Sequence, residues 1–405
     1  MPALRLLFVS MHTSPADAPG AGDAGGMNVV ELNQACALAS LGHTVEFVTR
    51  RADPDEPEVL RLAPGVTLRH LTAGPQEPLA KSAIDAHIDE FAAGLAQLER
   101  PDLVHSHHWM SGMAALDAAA AWGVPHVQSY HSVAAPPHSP LSEGEPPESD
   151  ARVAGEALLA RSSDAIICVS TAECRTVVER CGADPDRVLV IPPGVDLEQF
   201  RPAAPAEERP ACPWCGSRAG YLLLAARLQP LKGADLAIRA VAQVPAFMRP
   251  DLVIAGDISA DFADYRAEVE RLIDDLGMHS HVHFVGAQSR EQLARLMRHS
   301  QALLVPSHSE TFGLVALEAA ASGTPTLAFS TGGLREVVVH QETGYLMHDR
   351  EPSTWGTTLI RLLVDEPLRQ RMGTIARVHA RRFAWHDIAR SLSDAYQGLI
   401  EAHRR

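Results

Sequence analysis

Two cations and two carboxylates define the chemistry that this chain can support. Arg227 and Lys232 stand five residues apart in Arg227-Leu-Gln-Pro-Leu-Lys-Gly, and Glu310 and Glu318 stand eight apart across a second loop and the helix that follows it. Fixed cations offset the charge that builds on a departing phosphate, a service that a divalent metal performs elsewhere. The second loop follows a short apolar run, Ala302-Leu-Leu-Val, that reads as a buried parallel strand. The polar residues Ser307 to Thr311 then open an Ala-rich helix from about Phe312, which Gly323 and Pro325 stop. The backbone N–H groups of Phe312, Gly313 and Leu314 at such a helix mouth form an anion site, and Gly313 allows a phosphate to approach closely. At 3.6 residues per turn, Glu318 lies about two turns beyond Glu310 on the same face. A carboxylate at that depth can accept hydrogen bonds from a vicinal diol such as a ribose. Together these groups suit a nucleotide diphosphate sugar. The stretch taken alone also fits an ordinary strand–loop–helix with Glu310 solvated and Glu318 capping.

Further polar residues gather where other strands end. The loop around Gly25 and Gly26 lacks a Gly-x-Gly-x-x-Gly pattern, which argues against dinucleotide redox chemistry. Its N–H groups can still surround a phosphate or a sugar hydroxyl, or the loop is a mobile surface segment without a ligand. Leu103-Val-His-Ser-His-His-Trp ends a strand, and ligands of open parallel sheets sit beyond the carboxyl ends of strands, so His107, His108 and Trp109 are placed to touch one. His105, His107 and His108 could instead suggest a metal, but no carboxylate or cysteine accompanies them at helical spacing, and no metal site is expected. The next strand ends in His131-Ser132. Asp53/Asp55 and Asp184/Asp186 are Asp-x-Asp pairs in proline-broken loops away from these motifs. Cys212-Pro-Trp-Cys215 supplies only half of a structural zinc site and reads as a variable loop.

These groups need a scaffold of alternating strands and helices. The chain has 405 residues, long for one core, and its 46% apolar and 21% charged content is that of a globular protein. A net charge of −15 argues against general affinity for nucleic acid or anionic membrane. No apolar run reaches membrane-span length, Leu6-Leu-Phe-Val lacks a signal-peptide cleavage pattern, and six cysteines without a secretory signal imply reduced thiols in a cytoplasm. Strand Leu4–Ser10, a Gly-rich loop, a helix from about Val29 to Ser40 and strand Thr44–Thr49 form a Rossmann-like unit. A Pro-rich connection follows, then a strand at Val66–Leu71 and a helix from Ile84 to Glu99. Residues 134–150 hold five prolines and read as an ordered or closing loop. The pattern predicts an α/β protein of two Rossmann-like domains facing across a cleft. Residues 1–200 form the first and 220–385 the second, 201–219 are a hinge carrying the Cys-Pro-Trp-Cys insertion, and a helix at 386–405 packs back on the first.

Arg227…Lys232, Glu310-x7-Glu318 and Gly332-Gly-Leu-Arg-Glu-Val resemble the retaining glycosyltransferases of the GT-B fold, family four, over nearly the whole chain. Ser10-Met-His-Thr-Ser-Pro, Gly22-Asp-Ala-Gly-Gly-Met-Asn-Val, His105-Ser-His-His-Trp-Met-Ser-Gly and Leu228-Gln-Pro-Leu-Lys-Gly narrow the resemblance. They are similar to members that move N-acetylglucosamine from its UDP donor to an inositol phosphate, the first step of mycothiol synthesis. The resemblance implies that Arg227 and Lys232 hold the donor diphosphate and Glu318 the ribose, while Glu310, Phe312 and Gly313 touch sugar and phosphate. It places Gly26 and Asn28 under diphosphate and acceptor, and His131 at the sugar hydroxyls near the reacting carbon. Lys81 and Arg152 would grip the acceptor phosphate; His108 stands where the family has tyrosine, and Ser132 where it has threonine. The implied donor is a UDP-sugar rather than a GDP-sugar, with no cofactor required, and a homodimer is implied. The two departures leave open an unphosphorylated alcohol or thiol acceptor from specialised metabolism, and a non-catalytic nucleotide-sugar-binding protein is the remaining reading.

Overall fold

A computed structural model of the chain describes residues 2–17, 25–136, 148–205, 207, 220–258 and 262–405. The apolar runs fold into two sheets. The first contains β1 (Arg5–Val9), β2 (Thr44–Arg50), β3 (Val59–Ala63), β4 (Val66–Leu71), β5 (Leu103–His107), β6 (His126–Ser129), β7 (Ala165–Cys168) and β8 (Val188–Val190). Its order is β3-β4-β2-β1-β5-β6-β7-β8. The second contains β9 (Tyr221–Ala225), β10 (Asp251–Ala255), β11 (Val282–Gly286), β12 (Leu303–Val305), β13 (Thr326–Phe329) and β14 (Gly344–Met347), in the order β11-β10-β9-β12-β13-β14. Pairing is parallel throughout the second sheet and in the first except at its edge, where β3 runs antiparallel to β4.

Helices cover both faces of each sheet, which is why the central strands are apolar on both sides. In the first half these are α1 (Gly26–Ser40), α2 (Lys81–Ile84), α3 (Ile88–Leu95), α4 (Trp109–Trp122), α5 (Asp150–Ser162) and α6 (Thr171–Thr176). In the second they are α7 (Ala234–Ala242), α8 (Ala263–Asp275), α9 (Arg290–His299), α10 (Leu314–Ala321), α11 (Leu334–Val337), α12 (Pro352–Val364) and α13 (Glu366–Ala380). A last helix, α14 (Trp385–His403), returns to the first sheet. With a side-chain period of two, β1 sends Leu7 and Val9 toward α3 and α4, and Leu6 and Phe8 toward α1 and α14. Ile388, Leu392, Tyr396 and Ile400 of α14 are buried there, and burial of each large apolar side chain contributes roughly 1.5–3 kcal/mol. The first core thus depends on the far end of the sequence.

Several boundaries differ from the sequence reading. The Pro-rich connection contains β3, whose Val59 and Leu60 are exposed and give no alternation to detect. The helix read from Val29 starts at Gly26, and the one read across 84–99 is broken into α2, a 3-10 turn Asp85–His87, and α3. The helix read from Phe312 starts at Leu314, because Gly313 has φ 97 and ends the loop outside the helical region. Cys212, Cys215 and Pro137, Pro140, Pro146 and Pro147 lie outside the described residues, as does 18–24. Cys36, Cys168, Cys174 and Cys181 are free thiols, and no helix among the described residues is long and apolar enough to cross a membrane.

Two strands of chain connect the halves, and they touch. The Val195 N–H donates to the Phe383 carbonyl at 2.8 Å, Val195 pairs in parallel with Ala384, and Phe200 is buried in the second core.

Candidate active site

A cavity of about 230 Å³ lies between the carboxyl ends of the two sheets. Gly25, Gly26 and Val29 at the start of α1 form one wall; Arg227, Lys232, Gly256, Arg290, Glu310 and Glu318 form the other. Three loops of the second half interlock behind that wall. After β9 the chain turns through Pro230–Lys232 and enters α7 at Gly233, which has φ 69; a Cβ there would lie 2.4 Å from the Pro306 carbonyl oxygen. The His308 N–H also donates to the Leu231 carbonyl at 2.8 Å, so the lysine loop and the glutamate loop move together. Lys232 Nζ donates to Glu310 Oε1 at 2.5 Å, and the Ser307 hydroxyl donates to the same oxygen at 3.1 Å. From the other side the loop after β13 lies directly on Glu310. The Gly333 N–H donates to the Glu310 carbonyl at 3.1 Å, and a Cβ on Gly332 (φ 47) would fall 1.7 Å from that oxygen.

Glu318 is buried inside α10, and its Oε1 accepts from Arg290 Nη2 at 2.5 Å. The Arg290 guanidinium rests 4.6 Å from the centre of the Phe200 ring, which fixes its direction. Leu314 lines the cavity, whereas the Phe312 side chain points into the second core, with its ring 6.0 Å from that of Phe383. Phe312 and Gly313 therefore shape the loop from behind. The sequence missed Arg290 and Gln288, which both follow β11; the rule that ligands meet strand ends would have pointed there.

The first half carries a separate polar group. Asn28 is buried and committed: its Oδ1 accepts from the Gly25 N–H at 3.0 Å, and its Nδ2 donates to Thr13 Oγ1 at 2.8 Å and the Ser14 carbonyl at 2.6 Å. These bonds position the Gly25–Gly26 wall. His108 (φ 69) and His131 (φ 59) both sit in left-handed backbone at strand ends. The His108 ring lies 4.1 Å from that of His12, and burial, then neighbouring cations including Lys81 and Arg152, hold both imidazoles well below their ordinary value. Burial lowers His131 to about 4. Its Nε2 lies 2.8 Å from His107 Nδ1. Trp109 is a core residue against Gly155 rather than a ligand contact.

Arg152 is buried and heavily engaged. Its Nε donates to Glu156 Oε1 at 2.8 Å, Nη1 to Glu148 Oε1 at 2.7 Å, and Nη2 to both the carbonyl and hydroxyl of Ser132 at 3.0 Å. Burial raises the Glu156 carboxyl while Arg152 opposes that rise. One expectation is corrected. The histidines do have a carboxylate beside them, since α1 brings Glu31 Oε1 within 3.7 Å of His107 Nδ1. The Asp-x-Asp pairs close turns on themselves, Asp53 Oδ1 accepting from the Asp55 N–H and Asp184 Oδ1 from the Asp186 N–H.

Both halves of the chain match known protein families. Residues 24–199 match the family described as Glycosyltransferase Family 4, and residues 217–379 match Glycosyl transferases group 1. The D-inositol 3-phosphate glycosyltransferase of Stackebrandtia nassauensis is 39% identical over 411 residues, 98% of this chain and 92% of that one. Sucrose-phosphate synthase from Thermosynechococcus elongatus superposes with a TM-score of 0.87 at 27% identity, covering 98% of this chain and 100% of its own. Anabaena HepE, solved in complex with UDP and glucose, shares the fold with a TM-score of 0.77 at 20% identity, covering 98% and 100%. With relatives aligned end to end and both halves matched, the chain belongs to glycosyltransferase family 4, as a GT-B enzyme alongside the D-inositol 3-phosphate glycosyltransferases.

Proposed function

We propose that this glycosyltransferase moves N-acetylglucosamine from UDP-N-acetylglucosamine to 1D-myo-inositol 3-phosphate, with retention of configuration, in the cytoplasm. The observation that carries this reading is the convergence of Arg227, Lys232, Glu310 and Glu318 on one cavity, opposite Gly25 and Gly26. In this reading residues 220–385 hold the donor, residues 1–200 with the helix at 386–405 hold the acceptor, and 201–219 are the hinge. Arg227 and Lys232 bind the diphosphate without a metal bridging it, and Glu318 receives the ribose hydroxyls on the carboxylate oxygen that Arg290 leaves open. The loop of Glu310, Phe312, Gly313 and Leu314 orients the sugar, and His131 meets its hydroxyls. Gly25 and Gly26, held by Asn28, complete the diphosphate site. Lys81, His108, Ser132 and Arg152 surround the acceptor phosphate.

No carboxylate is assigned as nucleophile. The acceptor hydroxyl attacks the anomeric carbon from the face that the diphosphate leaves, and a phosphate oxygen takes its proton. The protein contributes alignment and stabilises the departing negative charge with the two cations. Closure of the halves excludes water and limits donor hydrolysis. A UDP donor is favoured over GDP, and a homodimer is the assembly in this reading.

One observation favours a second reading, an unphosphorylated alcohol or thiol acceptor. Arg152 already donates to Glu148, Glu156 and Ser132, so a phosphate dianion must displace or share with a carboxylate. Nucleotide release from UDP- and GDP-sugars, measured with 1D-myo-inositol 3-phosphate, myo-inositol and simple thiols, separates the two. Release that depends on inositol phosphate supports the first reading. Release with myo-inositol or a thiol but not with the phosphate supports the second.

A further inference from the structure

We propose that Glu31, His107 and His131 bind one divalent first-row cation of the zinc class at the carboxyl end of the first sheet. The three residues come from three elements: the second turn of α1, the last residue of β5, and the turn after β6. One ligand atom from each lies within 4.8 Å of the other two. His107 Nδ1 is 2.8 Å from His131 Nε2 and 3.7 Å from Glu31 Oε1. Both neighbours meet the same ring nitrogen. A proton relay through His107 would use its opposite nitrogens in series, whereas these three atoms converge on one point.

The separations suit an ion. Two ligands at about 2.05 Å from a tetrahedral zinc stand roughly 3.4 Å apart. The observed 2.8 and 3.7 Å fall on either side of that value, so small side-chain adjustments complete the site. Glu31 and His107 side chains are fully buried, and Glu31 Oε1 has no hydrogen-bond partner. Among the described residues no lysine or arginine forms an ion pair with Glu31. A buried carboxylate oxygen without a donor is costly, and a cation answers that need. The other oxygen, Oε2, accepts from the Ser10 hydroxyl at 3.1 Å, which orients the carboxylate as an outer partner does in metal sites.

Two imidazoles and one carboxylate select zinc, iron(II), cobalt(II) or nickel(II) over magnesium and calcium, which prefer oxygen alone. Three protein ligands leave a fourth position for water. The ion departs from the sequence expectation of no metal. It would lock His131 to the helix whose first residues line the cavity. The inference stands on geometry and does not depend on which acceptor is used.

The test is cobalt binding by the full chain, produced without a polyhistidine tag and stripped with chelator. About one cobalt per chain should bind with visible d–d absorption and compete with zinc, and zinc should raise the melting temperature of the stripped protein. Glu31→Gln should weaken binding by at least about tenfold. Because that variant can fail to fold, Glu31→Asp, which keeps the charge but shortens its reach, serves as the second and should also bind more weakly. The chain has 20 histidines, some as exposed as His279, so adventitious binding is the competing outcome. Stripped wild-type protein without stoichiometric d–d absorption, or variants that bind as tightly as wild type, would overturn the assignment.

Discussion

Lys232 has two partners to serve. Without a donor its ammonium pairs with Glu310 at 2.5 Å in a largely buried contact, and a bound diphosphate has to draw on the same charge. Replacing it by alanine removes a cation aimed at developing negative charge, an effect worth roughly 10²–10³ in turnover. Lys232→Ala should lower kcat by that factor with the far-ultraviolet dichroism unchanged; wild-type turnover would remove Lys232 from the clamp. Glu318 should behave differently, because a ribose contact persists from ground state to transition state. Glu318→Gln is expected to raise the donor KM about tenfold with little change in kcat, and steady-state kinetics over a donor series would check it. Arg227, Lys232, Glu310 and Glu318 were legible because each pair sits within one short motif. Arg290 and Glu31 were not, since their partners Glu318 and His107 come from other elements and spacing carries no trace of the meeting.

Elements were legible where burial imposes a pattern. The run Ala302-Leu-Leu-Val is a short apolar stretch ended by a proline, and β12 falls within it. β3 was not legible, being an edge strand with exposed Val59 and Leu60 inside a proline-rich segment. Helix starts were off by two or three residues at α1 and α10, where glycine caps rather than side-chain caps mark the boundary. The loop after β13 shows what an element contributes to the site without touching a ligand. Gly332 lies against the Glu310 carbonyl in left-handed backbone, so a methyl group there must push the Glu310 loop away. Gly332→Ala should cost about 1–3 kcal/mol of stability and raise the donor KM; a variant with unchanged melting temperature and unchanged KM would show that the loop does not hold Glu310.

At the scale of the molecule, the two α/β halves followed from the alternation of strands and helices. The dense buried polar layer in the first half did not, because periodicity assigns such positions to the core regardless of residue type. That layer has a consequence for stability. Burial holds His126 and His131 at about 4, below the ordinary 6.5, and keeps His12, His105, His107 and His108 low as well. The unfolded chain therefore binds more protons than the folded one as pH falls from 6.5 toward 4, and stability present above 6.5 is lost across that window. The carboxyls of Glu31, Glu156 and Glu173, raised by burial, oppose this but are outnumbered. The urea midpoint should be lower at pH 5 than at pH 7; an equal or higher midpoint would mean that the histidines are not buried in their neutral form. The central claim, retaining transfer in the inter-domain cleft, is tested most directly by the anomeric configuration of the product. UDP-N-acetylglucosamine is α-linked, so nuclear magnetic resonance of the glycoside formed on 1D-myo-inositol 3-phosphate should show an α linkage. A β-linked product, or none that depends on the acceptor, would contradict the account.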